Sequence, residues 1–392
     1  MSHYQNNTVL HSTGNEHDGT DESIIDALTS INWDFPERVA HSDIEGIHPY
    51  PAKFIAEIPR ALLESIPLPK GTSVLDPFCG SGTTLVECQR RGVPVTGIDL
   101  NPIACLISRV KTSPLPTDIK LHAEKLLEEV EARPQSSIPT IPNLDHWFEQ
   151  EIQERIAGIA AAIQSTDSPL RDCLQLALSS IIVRVSNQES DTRYAAINKG
   201  IDPSTVPMLF LRAVTRIETA LQGRTNLLSP ADVIESDTLK VAPEQISRPV
   251  GLVITSPPYP NAYEYWLYHK YRMWWLGFDP LSVKEQEIGA RAHFFKKNHH
   301  TSADFVRQMR QTFELLRGVV VTDGFACFVV GRSRIHGEVI DNAKIIEEAG
   351  IEFGFNRYFT AERMMSASRK SFNLSHANIK TETIIVLKKG AE

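Results

Sequence analysis

The sequence has little of what marks membrane, secreted or disulfide-rich proteins. No apolar run approaches the ~20 residues that a membrane-spanning helix requires, and the mean hydropathy is -0.19. The amino-terminal segment shows no basic stretch followed by an apolar run, so we predict a cytoplasmic protein without a secretion signal. The five cysteines form no C-x-x-C pair, which argues against a disulfide framework and against a structural zinc site.

Positive charge is also scarce. The chain has 40 Lys and Arg against 48 Asp and Glu, and this net charge of -8 argues against a protein that coats nucleic acid without specificity. Residues 261–380 are the exception, with 17 basic against 13 acidic side chains. The acidic part has an ordinary explanation in solubility, whereas the basic part could face a polyanion.

The length of 392 residues allows one large or two ordinary domains. Residues 1–30 carry five acidic and no basic side chains without apolar periodicity, which predicts a disordered lead-in. Residues 116–229 show apolar side chains at three- and four-residue spacing and are predicted to be a mainly helical insertion. The flanking residues 31–115 and 230–392 are predicted to be two parts of one α/β domain.

The α/β prediction depends on a βαβ unit between residues 73 and 110. A buried strand near residues 73–75 is followed by a Gly-rich loop and a helix, and a second strand ends at Asp99 before a helix near Pro102. Such a unit implies a mostly parallel sheet covered by helices on both faces. Further strand candidates are DVIESD, GLVITSPPY, GFACFVVG and TETIIVLKK.

The Gly-rich loop, DPFCGSGTT at residues 76–84, is not a P-loop, because no Lys follows its second glycine. Its glycines allow close backbone approach and leave N–H groups at a helix N-terminus, which suits an anionic ligand group. Asp99 lies 17 residues beyond Gly82, near the ~20-residue interval at which an acidic side chain meets ribose hydroxyls. This predicts a ligand with an adenosine moiety, unless Asp99 only caps the following helix.

A second motif, Thr255-Ser256-Pro257-Pro258-Tyr259, follows an apolar strand. Its two prolines remove two backbone donors, so the chain presents mainly carbonyl acceptors there. Ser256 Oγ and the Pro257 carbonyl would accept the two N–H bonds of an exocyclic amine, which directs the nitrogen lone pair out of the ring plane. Tyr259 would stack on a base that has left its duplex.

The motifs HPYPAKF (48–54), LDPFCGSGTT (75–84), GIDLNP (97–102) and TSPPY (255–259) together resemble the S-adenosylmethionine-dependent DNA amino-methyltransferases. These enzymes methylate N4 of cytosine or N6 of adenine. The resemblance covers roughly residues 45–115 and 230–390. It is specific because all four motifs occur together in one chain. It implies a Rossmann-like class I methyltransferase fold, S-adenosyl-L-methionine as cofactor and double-stranded DNA as the site-specific substrate. A cognate restriction endonuclease is a candidate partner.

The resemblance also implies roles for matching residues. Ser256, Pro257, Pro258 and Tyr259 would be catalytic. Asp99 would bind the ribose, Asp237 the adenine amino group, and Lys53 and Phe54 would close over the methionine end. Asp237 could instead be a surface turn, and Lys53 a surface lysine. The full set of cofactor positions is Lys53, Phe54, Asp76, Phe78, Gly80, Ser81, Gly82, Thr83, Asp99, Leu100 and Asp237.

Ser256 bears on which base is methylated. In the family, Ser at the head of the tetrapeptide is usual for N4-cytosine enzymes and Asp or Asn for N6-adenine enzymes, so cytosine is favoured and adenine stays open. The amine would attack the sulfonium methyl directly, without a covalent enzyme intermediate. Cys79 is therefore interpreted as a packing residue. No metal site is predicted, because the histidines lack ligand spacing.

DNA contacts are expected in the basic runs at residues 291–300, 331–334 and 366–370, unless these are solvated faces. Most aromatic residues between 265 and 275 are expected in the core. The DNA-binding candidates are Tyr263, Arg291, Lys296, Lys297, Arg332, Arg334, Arg369 and Lys370. Target recognition is assigned first to the helical insertion, whose polar loop contains Asn187, Gln188, Arg193 and Tyr194. A lid, a dimer interface or a partner site are the alternatives.

Two other functions compete with DNA methylation. Methylation of RNA or of a protein glutamine would be expected with Asn or Asp at the head of the tetrapeptide, so Ser256 argues against it. A non-catalytic subunit that keeps the fold would be expected to lose the cofactor loop or the tetrapeptide, and both motifs are intact.

Overall fold

A computed structural model describes residues 20–37, 43–51, 54–132, 137–191, 193–224, 229–260, 263–295, 299–364 and 381–391. The strands are β1 Ser73–Asp76, β2 Val95–Asp99, β3 Gln188–Ser190, β4 Arg193–Ala196, β5 Ala231–Glu235, β6 Val250–Thr255, β7 Val320–Gly331, β8 Ser333–Ile335, β9 Glu338–Ile340, β10 Phe355–Met364 and β11 Thr381–Lys389. The α-helices are α1 Asp21–Ser30, α2 Glu57–Ser65, α3 Thr83–Arg90, α4 Pro102–Thr112, α5 Ile119–Ala132, α6 Leu144–Trp147, α7 Gln150–Ile163, α8 Leu170–Ile181, α9 Thr205–Gln222, α10 Tyr265–Trp275, α11 Pro280–Gln286, α12 Ser302–Val319 and α13 Asn342–Glu352. Short 3-10 helices span Asp43–Gly46, Thr238–Lys240, Pro243–Gln245 and Arg291–Phe295.

Seven strands form one sheet in the order β10-β11-β7-β6-β1-β2-β5. Strands β5, β2, β1, β6 and β7 pair in parallel, and β11 runs antiparallel to both of its neighbours. The chain leaves β1 towards β2 on one side and later returns through β6 on the other. The carboxyl ends of β1 and β6 therefore flank the point where the strand order reverses, which is where open α/β sheets bind ligands. The predicted α/β fold with a mostly parallel sheet is confirmed.

Helices cover both faces of this sheet, because successive strand residues point to opposite sides. Val74 packs in a core cluster with residues of α1, α2 and α3, whereas Leu75 packs in a cluster with residues of α12 and α13. Both side chains are fully buried. The two clusters hold the central strand rigidly, and with it the loop that follows at Asp76.

The lead-in prediction for residues 1–30 is wrong for residues 21–30, which form α1, and residues 1–19 lie outside the described part. Ile24 and Leu28, four residues apart, form a buried apolar stripe that packs beside Trp33. Lys388 Nζ lies 2.8 Å from a carboxylate oxygen of Asp21, and Tyr358 Oη donates to the Asp21 carbonyl at 2.8 Å. Only two of the ten side chains of α1 are buried, which was too weak a pattern to reveal the helix against an acidic background.

The strand at the sheet edge, β10, was also not predicted. In its sequence, FNRYFTAERM, apolar and polar residues do not alternate regularly, and half of the ten residues are exposed. An edge strand that leaves much of itself in solvent needs only a weak apolar pattern. The six other sheet strands coincide with predicted strands.

The predicted helical insertion contains α5 to α9 together with the β3–β4 hairpin. Its helices share one core cluster with α4 and α10 of the sheet domain, which includes Leu106, Phe210 and Tyr271. The insertion is thus packed continuously onto the helices beside the sheet.

All five cysteines are free and buried. Within the described residues, no helix combines the length and apolar character needed to cross a membrane.

We expect Leu28→Ala to lower the free energy of unfolding by about 2–5 kcal/mol, because the buried side chain leaves a cavity under α1. Ile25→Ala is the matched control, since Ile25 lies on the same helix and is 38% exposed while Leu28 is 0% exposed. Urea unfolding followed by circular dichroism measures both. Equal losses for the two variants would show that α1 does not belong to the core.

Candidate active site

A cleft at the carboxyl ends of β1, β2 and β6 brings the two principal motifs together. Gly80 and Asp99 line it from one side, and Ser256 and Pro258 line it from the other. The predicted site residues that line this cleft are Phe54, Asp76, Phe78, Gly80, Ser81, Thr83, Asp99, Leu100, Asp237, Ser256 and Pro258. Segments about 175 residues apart in sequence therefore share one cavity.

The remaining predicted residues have other positions. Gly82 is the N-cap of α3, and Pro257 and Tyr259 do not line the cleft. Tyr259 is half-buried against the cluster of α12 and α13, and burial raises the pKa of its phenol well above the usual value. Lys53 lies outside the described residues.

The glycine loop is fastened to helix α4. Gly82 has a φ of +76°, and a Cβ there would stand 2.7 Å from Ser108 Oγ. Ser108 Oγ donates to the Gly80 carbonyl at 2.9 Å, and the buried Lys111 Nζ donates to the Ser81 carbonyl at 2.8 Å. Neither side chain was predicted. No distinct signal in the sequence pointed to them, since Arg109 and Thr112 of the same helix are polar as well.

Asp99 holds the loop from the second strand. Its Oδ2 accepts from the Gly80 N–H at 2.8 Å, and its Oδ1 accepts from the Asn101 N–H at 2.8 Å. The alternative that Asp99 only caps the next helix is wrong, because Asn101 caps α4 by accepting from the Ile103 N–H. Burial raises the pKa of Asp99 to about 6, and the two N–H bonds oppose that shift. Each carboxylate oxygen can accept a further hydrogen bond from a ligand in the cleft.

Asp76 connects the glycine loop to the second motif. Its Oδ1 accepts from Thr255 Oγ1 at 2.7 Å and from the Phe78 N–H at 3.1 Å. Burial raises the pKa of this carboxyl to about 6. Thr255, which precedes Ser256, is thereby hydrogen-bonded to Asp76, the first residue of the glycine loop.

Asp237 is more than a surface turn. It caps the 3-10 helix Thr238–Lys240 through its Oδ1, which accepts from the Leu239 N–H at 3.1 Å, and its side chain is 11% exposed. The neighbouring Thr238 hydroxyl donates to the Pro77 carbonyl, so this segment is bonded to the glycine loop. Asp237 consequently reaches the same cleft as Asp99.

The hydroxyl of Ser256 already donates its one hydrogen to a bond within the protein. Ser256 Oγ donates to the Val329 carbonyl of the adjacent strand β7 at 2.9 Å. A hydroxyl has one donor and two acceptor lone pairs. Both lone pairs stay available, so Ser256 can act towards a ligand as an acceptor.

A third wall of the cleft was not predicted as part of the site. Tyr50 stacks between Tyr265, with ring centroids 5.8 Å apart, and His269, at 5.2 Å. Tyr50, Tyr265 and Glu287 line the cleft. Tyr50 lies within the HPYPAKF motif, but nothing in the local sequence distinguishes Tyr265 from the neighbouring aromatics. Trp266, Tyr271 and Trp275 of the same run are buried in the core as predicted.

The DNA-binding candidates lie on several separate segments. Tyr263 is half-buried beside Tyr265, with ring centroids 5.8 Å apart. Arg332 and Arg334 are exposed, and Arg291 is half-buried in its 3-10 helix. His299 of the run 291–300 lies beside His336, two residues beyond the run 331–334, with ring centroids 4.4 Å apart. The candidates Lys296, Lys297, Arg369 and Lys370 lie outside the described residues.

The polar loop of the insertion forms the β3–β4 hairpin. Arg193 is 74% exposed, but Tyr194 packs on Trp147 and its hydroxyl lies 3.1 Å from that of Tyr271. Tyr194 is therefore partly a packing residue.

Among the described residues, no group of three or more His, Cys, Asp or Glu side chains could hold a metal ion.

We expect Gly82→Ala to lower the free energy of unfolding by more than Gly92→Ala does, by about 1–3 kcal/mol. Both glycines have positive φ, +76° and +68°, so both variants carry the same backbone strain. Only at Gly82 would the added methyl group meet Ser108, since a Cβ at Gly92 meets nothing within 4 Å. Urea unfolding compares them, and equal destabilisation would contradict the close contact with α4.

Comparison with known proteins finds similarity to DNA methyltransferases. The N6/N4 methyltransferase family model, described as DNA methylase, matches residues 4–109. The type II methyltransferase M.MvaI of Kocuria varians is 27% identical over 237 residues, covering 54% of this chain and 52% of its own length. M.BsoBI of Geobacillus stearothermophilus is 23% identical over 270 residues, covering 60% and 53%. M.MjaII of Methanocaldococcus jannaschii is 41% identical over 88 residues, covering 21% and 16%.

The chain spans about half the length of the first two of these relatives and less of the third. S-adenosyl-L-methionine is the cofactor expected for such proteins, and the cleft carries the motifs associated with it. These findings support a relationship of this chain to the amino-methyltransferase family of the N4-cytosine/N6-adenine type.

Proposed function

We propose that this chain methylates the exocyclic N4 amino group of a cytosine flipped out of double-stranded DNA. The observation that carries the proposal is the position of Ser256 and Pro258 in the same cleft as the glycine loop and Asp99. An amine held at the tetrapeptide would lie beside a ligand held at the loop. That is the juxtaposition that direct group transfer requires.

The residues of the cleft fit S-adenosyl-L-methionine. Gly80 lines the cleft without a side chain, and the half-buried Asp99 and Asp237 offer carboxylate acceptors beside it. Asp99 would accept from ribose hydroxyls and Asp237 from the adenine amino group. Phe54 lines the same cleft and would cover the methionine end. When bound, the cofactor supplies a methyl group activated by a sulfonium charge.

The tetrapeptide would orient the amine. Ser256 Oγ accepts one amine hydrogen with a lone pair that its bond to Val329 leaves available, and the Pro257 carbonyl accepts the other. Two in-plane acceptors direct the nitrogen lone pair out of the ring plane. Tyr259 does not line the cofactor cleft, and its proposed role is to supply a π-face to the extruded base, which compensates part of the unstacking cost of a few kcal/mol.

Cytosine is proposed over adenine because Ser256 occupies the head of the tetrapeptide. The same two acceptors would also hold the N6 amino group of adenine, so that base is the alternative.

The type II methyltransferase names of the relatives support a restriction–modification role with a cognate endonuclease as partner. Tyr263, Arg291, Arg332 and Arg334 are the proposed DNA contacts among the described residues.

We expect Ser256→Ala to reduce methyl transfer to DNA by about a hundredfold or more, because one oriented acceptor at the reacting amine is lost. Binding of S-adenosylmethionine should remain within about twofold. Ser247→Ala is the control, since Ser247 is exposed before the same strand β6. Transfer of labelled methyl to unmodified DNA measures activity, and calorimetry measures cofactor binding. A Ser256→Ala enzyme with wild-type activity would remove the tetrapeptide from the mechanism.

We expect nucleosides from DNA treated with the protein to contain N4-methylcytosine. Digestion followed by mass spectrometry measures this directly, and a Ser256→Ala preparation gives the background. N6-methyladenine would overturn the choice of base while leaving the reaction class intact. Incorporation into RNA or protein with none into DNA would overturn the substrate.

A further inference from the structure

Glu287 is a buried carboxylate in the cleft that no family motif accounts for. It is 6% exposed and lines the cleft directly after helix α11. Its two oxygens accept from the first backbone N–H groups of α10, at 2.9 Å from Tyr265 and 2.7 Å from Trp266. These bonds hold the carboxylate in position, and each oxygen can accept a further contact from a ligand.

Among the described residues, the charged side chains that line the cleft with this carboxylate are all acidic, while the cations Lys111 and Lys284 lie outside the lining. Four carboxylates line the cleft, from Asp76, Asp99, Asp237 and Glu287. No Lys, Arg or His occurs among the described residues that line it. Because electrostatic interactions are stronger in a cleft with low-dielectric walls than in water, such a cleft favours a ligand that carries positive charge.

The two adenosine ligands of a methyl-transfer reaction differ in charge at one atom. S-adenosylmethionine has a sulfonium, an ammonium and a carboxylate, for a net charge of +1 at neutral pH. S-adenosylhomocysteine has a neutral thioether sulfur and a net charge of zero. The ratio of their affinities therefore reports how strongly the cleft responds to one positive charge.

We propose that Glu287 is a specificity-determining residue whose carboxylate recognises the positive charge of the cofactor. It makes the cleft prefer S-adenosylmethionine to the product S-adenosylhomocysteine and so favours exchange of product for cofactor after each turnover. The proposal rests on the proposed function, because it concerns the ligand of the same cleft. It adds a residue that neither the glycine loop nor the tetrapeptide contains.

The preference depends on pH through the ionisation of Glu287. Burial raises the pKa of this carboxyl to about 8, the nearby Glu264 and Asp99 carboxylates raise it further, and the two N–H bonds oppose the shift. A bound cation favours the ionised form, so binding releases a proton below about pH 8. The preference is therefore weak at low pH and grows as pH rises towards the pKa. The titratable and charged groups around Glu287 are Tyr50, Asp99, Glu264, Tyr265 and Lys284.

The test measures dissociation constants of S-adenosylmethionine and S-adenosylhomocysteine for the full chain by calorimetry at pH 6.5, 7.5 and 8.5. The sulfonium lowers the pKa of the α-ammonium group in S-adenosylmethionine relative to S-adenosylhomocysteine, and because this titration is the same for every variant it is removed by comparing variants. We expect the ratio for the wild-type chain to change about tenfold more in favour of S-adenosylmethionine across this range than the ratio for Glu287→Gln. Glu287→Gln should lose the part of the pH dependence that belongs to this carboxylate. Glu285→Gln, an exposed position on α11, should leave it unchanged.

A second variant separates the effect of a folding defect from the effect of losing the negative charge of Glu287. Gln at position 287 would place an amide donor against one of the α10 N–H groups, so Glu287→Asp serves as a second variant that keeps a carboxylate and should keep the pH dependence. A ratio that stays constant with pH in the wild-type chain overturns the proposal, as does an unchanged pH dependence in Glu287→Gln. If neither ligand binds the wild-type chain, the cofactor assignment of the proposed function fails as well, which distinguishes the two failures.

Discussion

The buried hydrogen bond between Thr255 and Asp76 is the contact on which the rest of the site depends. Thr255 is 0% exposed and Asp76 is 2% exposed, and the bond between their side chains is 2.7 Å long. A buried bond to a charged or partly charged carboxyl contributes about 1.5–3 kcal/mol. Since the same Asp76 oxygen accepts from the Phe78 N–H, one atom sets both the start of the glycine loop and the end of β6. The distance between cofactor loop and tetrapeptide thus follows from two neighbouring strands.

The glycine loop is then held from every side by groups that its own sequence does not contain. Ser108 and Lys111 bind its carbonyls from α4, and Asp99 accepts from the Gly80 N–H at the end of β2. Thr238 donates to the Pro77 carbonyl from beyond β5. Sites built from loops gain precision when such supporting contacts lock them. The backbone N–H and carboxylate groups offered to a ligand are accordingly arranged before it arrives.

How much the sequence could predict depended on whether the signal was local. The strand, glycine loop and helix around Asp76 are contiguous in the chain, so their pattern was readable, as was the tetrapeptide at Ser256. Glu287 carries no such pattern, because its place in the cleft results from α11 packing beside α10. Tyr265 sits in a run of aromatics whose other members are core residues, and only the tertiary fold turns it towards the cleft. Helix α1 was missed because only two of its side chains, Ile24 and Leu28, are buried.

The insertion is bonded to helix α10, and none of its described residues lines the cleft. Arg272 of α10 is 1% exposed; it donates to the Ser179 carbonyl of α8 at 3.1 Å and pairs with Asp191 beside the β3–β4 hairpin. Ser179 Oγ also lies 2.9 Å from His48 Nε2, two residues before Tyr50. Moving the insertion away would break these bonds and open the apolar core that α8 shares with α4 and α10. A surface that the insertion presents to DNA would therefore keep a fixed position relative to Tyr50 and to the cleft behind it.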